Sequence, residues 1–121
     1  MSIHPTAIVA DGAQIPASCT VGPYCTVGAN VILGEDCTLI SHVVLVGDDV
    51  GHLTIGPHTT IYPFACLGVA PQDLKYANEP TRCTLGANNT IREYVTISRG
   101  TVGGGGETTL GNDSLIMAYT H

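Results

Sequence analysis

The densest collection of side chains able to do chemistry lies between Val69 and Thr84, in the stretch VAPQDLKYANEPTRCT. It holds an amide, Gln72, the carboxylates Asp73 and Glu79, the cations Lys75 and Arg82, and the phenol Tyr76. A lysine donates to carbonyl or phosphate oxygens, and an aspartate accepts from hydroxyls. A polar segment of this length inside a compact fold is more often functional than idle.

Two other stretches carry candidate groups. Val46–Thr54, VGDDVGHLT, places Asp48, Asp49 and His52 together. Its spacing matches no specific site, so a solvated corner loop is a better reading than a metal or subunit contact. Ser98–Thr109, SRGTVGGGGETT, contains Gly103–Gly106, which suggests a phosphate cradle. No lysine followed by serine or threonine completes a P-loop, so a loop tip is the better reading.

These three stretches interrupt a regular frame. Ile3, Val9, Ile15, Val21, Val27, Leu33, Leu39 and Leu45 stand six apart. The frame resumes at Ile55, Ile61 and Leu67, again at Leu85, Ile91 and Ile97, and last at Leu110 and Ile116. A helix turns ~100° per residue, so an aliphatic face of period six would drift around it. A strict period of six without drift is instead the signature of a short strand and turn repeated into a parallel β-helix.

The position four after the aliphatic residue is small or β-branched, as at Ala7, Cys19, Cys25, Val31 and Val43. Two positions apart on a strand is the same face, so each hexad sends one large and one small residue inward. Glycine commonly follows the aliphatic residue, at Gly22, Gly28, Gly34, Gly56, Gly68, Gly86 and Gly111. That pattern predicts corners that need a positive φ or close backbone approach.

Three hexads close one triangular coil. The chain then forms a single all-β domain, 1–121, of about six coils at the ~4.8 Å spacing between strands. Loop insertions fall at about 46–54, 69–84 and 98–109, and the last coil, 110–121, is incomplete.

Composition narrows the function classes. A formal net charge of −6 argues against a nucleic-acid surface. No apolar run approaches the ~20 residues of a membrane helix, and no leader is expected ahead of the repeat, which begins at Ile3. Of the five cysteines, Cys19, Cys25 and Cys37 take the small inward position. Cysteine acts there as a small hydrophobe, so all five are expected as free thiols in a reducing, cytoplasmic setting. Their spacing fits no zinc motif. A metal centre built from His42, His52, His58 and His121 is a further reading, but these histidines share no register.

The hexads resemble those of the hexapeptide-repeat acyltransferases, which fold as left-handed parallel β-helices. More specifically, QDLKY at Gln72–Tyr76, EPT at Glu79–Thr81, IRE at Ile91–Glu93 and RGTVGGGG at Arg99–Gly106 resemble the UDP-N-acetylglucosamine O-acyltransferase family. The opening IHPTAIV and the phrase SHVV at Ser41–Val44 match it too.

The resemblance implies transfer of a 3-hydroxyacyl group from acyl carrier protein to the 3-hydroxyl of UDP-GlcNAc, the first step of lipid A biosynthesis. It also implies a homotrimer with sites in grooves between subunits, no cofactor and no metal. By the resemblance, Asp73 contacts the nucleotide sugar and the acyl hydroxyl. Gln72 and Lys75 line the acyl and pantetheine side, and His121 lies near the sugar nucleotide.

The general-base histidine of the family is expected three residues past His121, so these 121 residues are expected to be inactive alone. Ser98 stands where a histidine is expected in many members, and 46–54 is longer than uninterrupted hexads allow. A non-catalytic, self-associating β-solenoid module is the alternative.

Overall fold

A computed structural model describes residues 2–70, 80–100 and 106–117. Fifteen short strands follow one another: β1 Ser2–Ile3, β2 Ile8–Val9, β3 Thr20–Val21, β4 Thr26–Val27, β5 Val31–Leu33, β6 Thr38–Leu39, β7 Val44–Leu45 and β8 Gly51–Ile55. They continue with β9 Thr60–Ile61, β10 Cys66–Val69, β11 Thr81–Leu85, β12 Thr90–Ile91, β13 Thr96–Ser98, β14 Glu107–Leu110 and β15 Leu115–Ile116.

Every pairing is parallel, and successive strands visit three sheets in turn. The first sheet runs β1-β3-β6-β9-β12-β15, the second β2-β4-β7-β10-β13, and the third β5-β8-β11-β14. The fold is a left-handed parallel β-helix of triangular section.

Register follows the aliphatic frame. In the first sheet Ile3, Val21, Leu39, Ile61, Ile91 and Ile116 pair in one row. Val9, Val27, Leu45, Leu67 and Ile97 form the second row, and Leu33, Ile55, Leu85 and Leu110 the third. A side-chain period of two means that a slip by one residue would turn such a row outward. Burial therefore locks the pairing: Leu39, Ile61, Leu67 and Ile91 are wholly enclosed.

The inner column at the edge between the third and first sheets is polar. Cys19 Sγ donates to Gly34 O at 3.1 Å and Cys37 Sγ to Gly56 O at 3.3 Å. Thr59 Oγ1 donates to Gly56 O at 3.1 Å, and Asn89 Nδ2 donates to Gly111 O at 2.8 Å. Small donors at this position satisfy carbonyls that the corner leaves unpaired. All five cysteines are free.

The corners correct one expectation. The glycines after the aliphatic residues are not where the left-handed backbone sits, Gly68 (φ +85) excepted. Gly111 apart, they are there for space: a Cβ on Gly22 would lie 1.8 Å from Ile40 O, and one on Gly34 2.5 Å from Pro57 N. The left-handed conformation falls two residues later, on Tyr24, Asn30, Asp36, His42, His58, Phe64, Asn88, Tyr94 and Asp113, with φ between +51 and +69. Asn and Asp tolerate that region, whereas a bulky residue there carries strain.

Four of these residues share the edge between the first and second sheets, where their rings pack in a column, tilted at first and stacked between Phe64 and Tyr94. Tyr24 to His42 and His42 to Phe64 are each 5.2 Å between centroids, and Phe64 to Tyr94 is 5.5 Å.

Candidate functional site

The three breaks in the hexad frame leave the prism from one edge. Residues 46–50 connect β7 to β8, residues 70–80 connect β10 to β11, and residues 99–106 connect β13 to β14. Each runs from the second sheet to the third, in consecutive coils. The aliphatic frame alone places the breaks at 46–54, 69–84 and 98–109; strands β8, β11 and β14 take up residues 51–54, 81–84 and 107–109 of these.

The lowest connection closes on itself. Asp48 Oδ1 accepts from Val50 N at 3.0 Å and Gly51 N at 2.8 Å, while Asn30 Nδ2 donates to Asp48 O at 2.8 Å. An aspartate bonding backbone two and three residues on builds a turn. Asp48 is thereby committed to shape, and Asp49 and His52 are exposed.

Above it, Arg99 joins the ends of the longer connections. The residue is 4% exposed. Its Nη1 donates to Gly68 O at 3.0 Å and its Nε to Thr81 Oγ1 at 3.2 Å. Its backbone N donates to Val69 O at 2.8 Å, and the next amide, Gly100 N, donates to Arg82 O at 3.2 Å. Gly68 and Val69 precede the 70–80 connection; Thr81 and Arg82 follow it.

On the outer face of the third sheet, Arg82 Nε lies 3.7 Å from Glu107 Oε2, which also accepts from Thr84 Oγ1 at 2.7 Å. Inside that sheet, burial and the Glu107 carboxylate push the Cys83 thiol up from 9.0 to about 11, against the pull of the Arg99 cation. A thiol so shifted stays protonated and inert at neutral pH.

Gln72, Asp73 and Lys75, with Tyr76 and Glu79, lie outside the described residues, as do His121 and Gly103–Gly105. The described neighbours fix where the first group enters and leaves: after Ala70 and before Pro80, both exposed. Ser98 pairs with Val69, across a register shift between Leu67 and Val69, so it borders the start of the same connection.

The structure separates the described histidines. His42 belongs to the aromatic edge. His58 is on the edge between the third and first sheets, with its Nδ1 3.4 Å from Asp36 Oδ2. His52 is on the outer face of the third sheet, paired in register with Arg82. Among the described residues, no three His, Cys, Asp or Glu side chains converge to hold a metal ion.

Reading the sequence missed Arg99, which it treated only as part of a motif. One signal was available: Arg99 stands one coil length, 18 residues, from the hydroxyl of Thr81.

Nothing in the chain matches a family model. Two curated relatives match nearly all of it. One, from Rickettsia canadensis, is 49% identical over 120 residues, 99% of this chain and 44% of that protein. The other, from Thermodesulfovibrio yellowstonii, is 48% identical over 119 residues, 98% of this chain and 45% of that protein. Both are named acyl-[acyl-carrier-protein]–UDP-N-acetylglucosamine O-acyltransferase. A crystal structure of UDP-N-acetylglucosamine O-acyltransferase from Moraxella catarrhalis superposes with a TM-score of 0.90 at 48% identity, over 98% of this chain and 44% of that one. The chain spans less than half the length of each.

Proposed function

We propose that this chain, a homologue of UDP-N-acetylglucosamine O-acyltransferases over 99% of its length, supplies part of the site of such an enzyme. The reaction moves a 3-hydroxyacyl group from the thioester of acyl carrier protein to the 3-hydroxyl of the glucosamine unit in UDP-GlcNAc. The product enters lipid A biosynthesis in the cytoplasm. The single observation that carries this reading is identity of 49% over 120 residues with a relative of that name.

The chemistry divides between groups. A sugar hydroxyl must lose its proton as it attacks a thioester, and a neutral imidazole, with reference pKa near ~6.5, suits that task. Asp73 accepts hydrogen bonds from hydroxyls of the sugar nucleotide and the acyl chain. Lys75 and Gln72 donate to carbonyl and phosphate oxygens along the acyl and pantetheine side. His121 contacts the sugar nucleotide.

The general base is a histidine outside these 121 residues, so little or no turnover is expected of the chain alone. The active assembly is a homotrimer, with the insertion-bearing edge facing a neighbouring prism. Closed cyclic symmetry is the usual solution for such packing.

One observation favours a second, non-catalytic reading. Strands β13, β14 and β15 each pair on one side only among the described residues. Open strand edges promote self-association, which would make the chain a β-solenoid module that assembles without substrate.

Acyl transfer tests the choice. The 121-residue chain is assayed with 3-hydroxyacyl carrier protein and UDP-GlcNAc, beside a spliced protein in which it replaces the matching part of a longer relative. A silent chain and an active spliced protein are expected. A folded but silent spliced protein, with association of the chain rising with concentration and unaffected by UDP-GlcNAc, would move the module reading ahead.

A further inference from the structure

We propose that Arg99 is a positioning residue, a clamp that fixes the two ends of the connection on which the sequence carries Gln72, Asp73 and Lys75. The importance of those three rests on the acyltransferase reading; the clamp itself does not.

The geometry is specific to this coil. Arg99 and Gly100 reach the connection's start through Arg99 N to Val69 O and Nη1 to Gly68 O, at 2.8 and 3.0 Å. They reach its end through Nε to Thr81 Oγ1 and Gly100 N to Arg82 O, both at 3.2 Å. The guanidinium therefore binds a carbonyl on one side of the connection and a hydroxyl on the other. Its planar fork holds several donors in fixed directions, which an ammonium on a flexible stem does not.

The connection one coil below, 46–50, closes without an arginine, using the side chain of Asp48. Burying a guanidinium is costly unless its donors are used. At 4% exposure, Arg99 uses donors on both ends of the longer connection.

The space around it is shaped to match. A Cβ on Gly51 would lie 2.2 Å from Nη1 and 2.4 Å from Cζ. A Cβ on Gly100 would lie 2.3 Å from Glu107 N. Bare backbone on two coils, one above and one below the 70–80 connection, thus admits the fork and the amide that follows it.

The test is limited trypsin digestion of the folded 121-residue chain and its variants Arg99→Lys, Arg99→Met and Thr81→Val. It reads cleavage after Lys75 relative to cleavage after Arg92, which lies on the first sheet's side and reports global opening. Hydrogen bonds to charged groups contribute enough that losing one shifts a local opening equilibrium by about tenfold or more. Both Arg99 variants should raise the Lys75-to-Arg92 ratio by about that factor, with lysine failing to restore it. Thr81→Val should raise it less, and adding Thr81→Val to Arg99→Met should add nothing.

An unchanged ratio, a wild-type ratio in Arg99→Lys, or additive effects in the double variant would overturn the clamp. If Arg99→Met does not fold, Arg99→Lys and Thr81→Val still decide. Failure here leaves the acyl-transfer experiment untouched, and failure of that experiment leaves this ratio interpretable.

Discussion

The guanidinium of Arg99 rests on the bare Cα of Gly51: a methyl group placed there would come within 2.2 Å of Nη1. Gly51 opens β8 and Arg99 follows β13, so one contact spans the three coils that carry the connections. The glycine is needed for room and not for conformation, since its φ is not among the positive ones. Gly51→Ala should therefore destabilise by about 1–3 kcal/mol, the usual cost of overpacking. Urea unfolding followed by circular dichroism would measure it, and a neutral result would mean that Arg99 can move aside.

Gly22→Ala should cost more. The obstacle there is backbone: the new Cβ would sit 1.8 Å from Ile40 O and 2.7 Å from its carbonyl carbon. No side-chain motion relieves that, and Gly22 N already donates to Leu39 O at 2.8 Å. The expected loss exceeds about 3 kcal/mol, above the range for a side chain that can shift. The same unfolding experiment should rank Gly22→Ala below Gly51→Ala.

The aromatic edge reverses the ordinary ranking of glycine and alanine. Phe64 has φ +69 and Tyr94 φ +61. Glycine adopts that conformation without strain, whereas alanine does not. Phe64→Gly should thus be more stable than Phe64→Ala by about 1 kcal/mol. The stacked pair itself, with planes 13° apart, should show a coupling of about 0.5–1.5 kcal/mol in a double-mutant cycle with Tyr94. Equal stability of the glycine and alanine variants would mean that the left-handed corner is not maintained in solution.

Alkaline pH should weaken the fold through Cys83. Its thiol titrates near 11 when folded against an ordinary 9.0. The folded state then holds a proton that the unfolded state has released, so stability is complete below about pH 9 and falls as pH rises towards 11. Two units correspond to roughly 2–3 kcal/mol. Burial also raises Cys25, Cys37 and Cys66, which adds in the same direction. Urea midpoints at pH 7 and pH 10 should differ more for the wild type than for Cys83→Ala. An identical pH response would remove Cys83 as a cause.

Much of the scaffold could be read from residues. Val21, Leu39, Ile61 and Ile91 announce the first sheet because an inward row must be apolar, and apolarity is visible in sequence. The left-handed corners were only half legible. Asn30, Asp36, His42, His58, Asn88 and Asp113 have side chains that tolerate that backbone, but Tyr24, Phe64 and Tyr94 do not favour it. There the stacking along the edge, a property of neighbouring coils, accompanies a conformation that local preference disfavours. Arg99 escaped for a similar reason, since its partners Gly68 and Thr81 are distant in sequence and the value of a buried cation lies in its contacts. Gln72, Asp73 and Lys75 lie in a segment without periodicity, so only their resemblance to a known motif singled them out.

By the proposed function, the edge carrying the three connections is the acyl-transfer side of the prism. The most direct measurement is kcat/KM for 3-hydroxyacyl transfer to UDP-GlcNAc by the spliced protein, comparing Asp73→Ala with His58→Ala on another edge. A loss of about 100-fold or more is expected at Asp73, the scale of a misplaced or missing substrate contact, and a change within about twofold at His58, an exposed surface residue. Near-equal effects of the two substitutions, or full activity without Asp73, would contradict it.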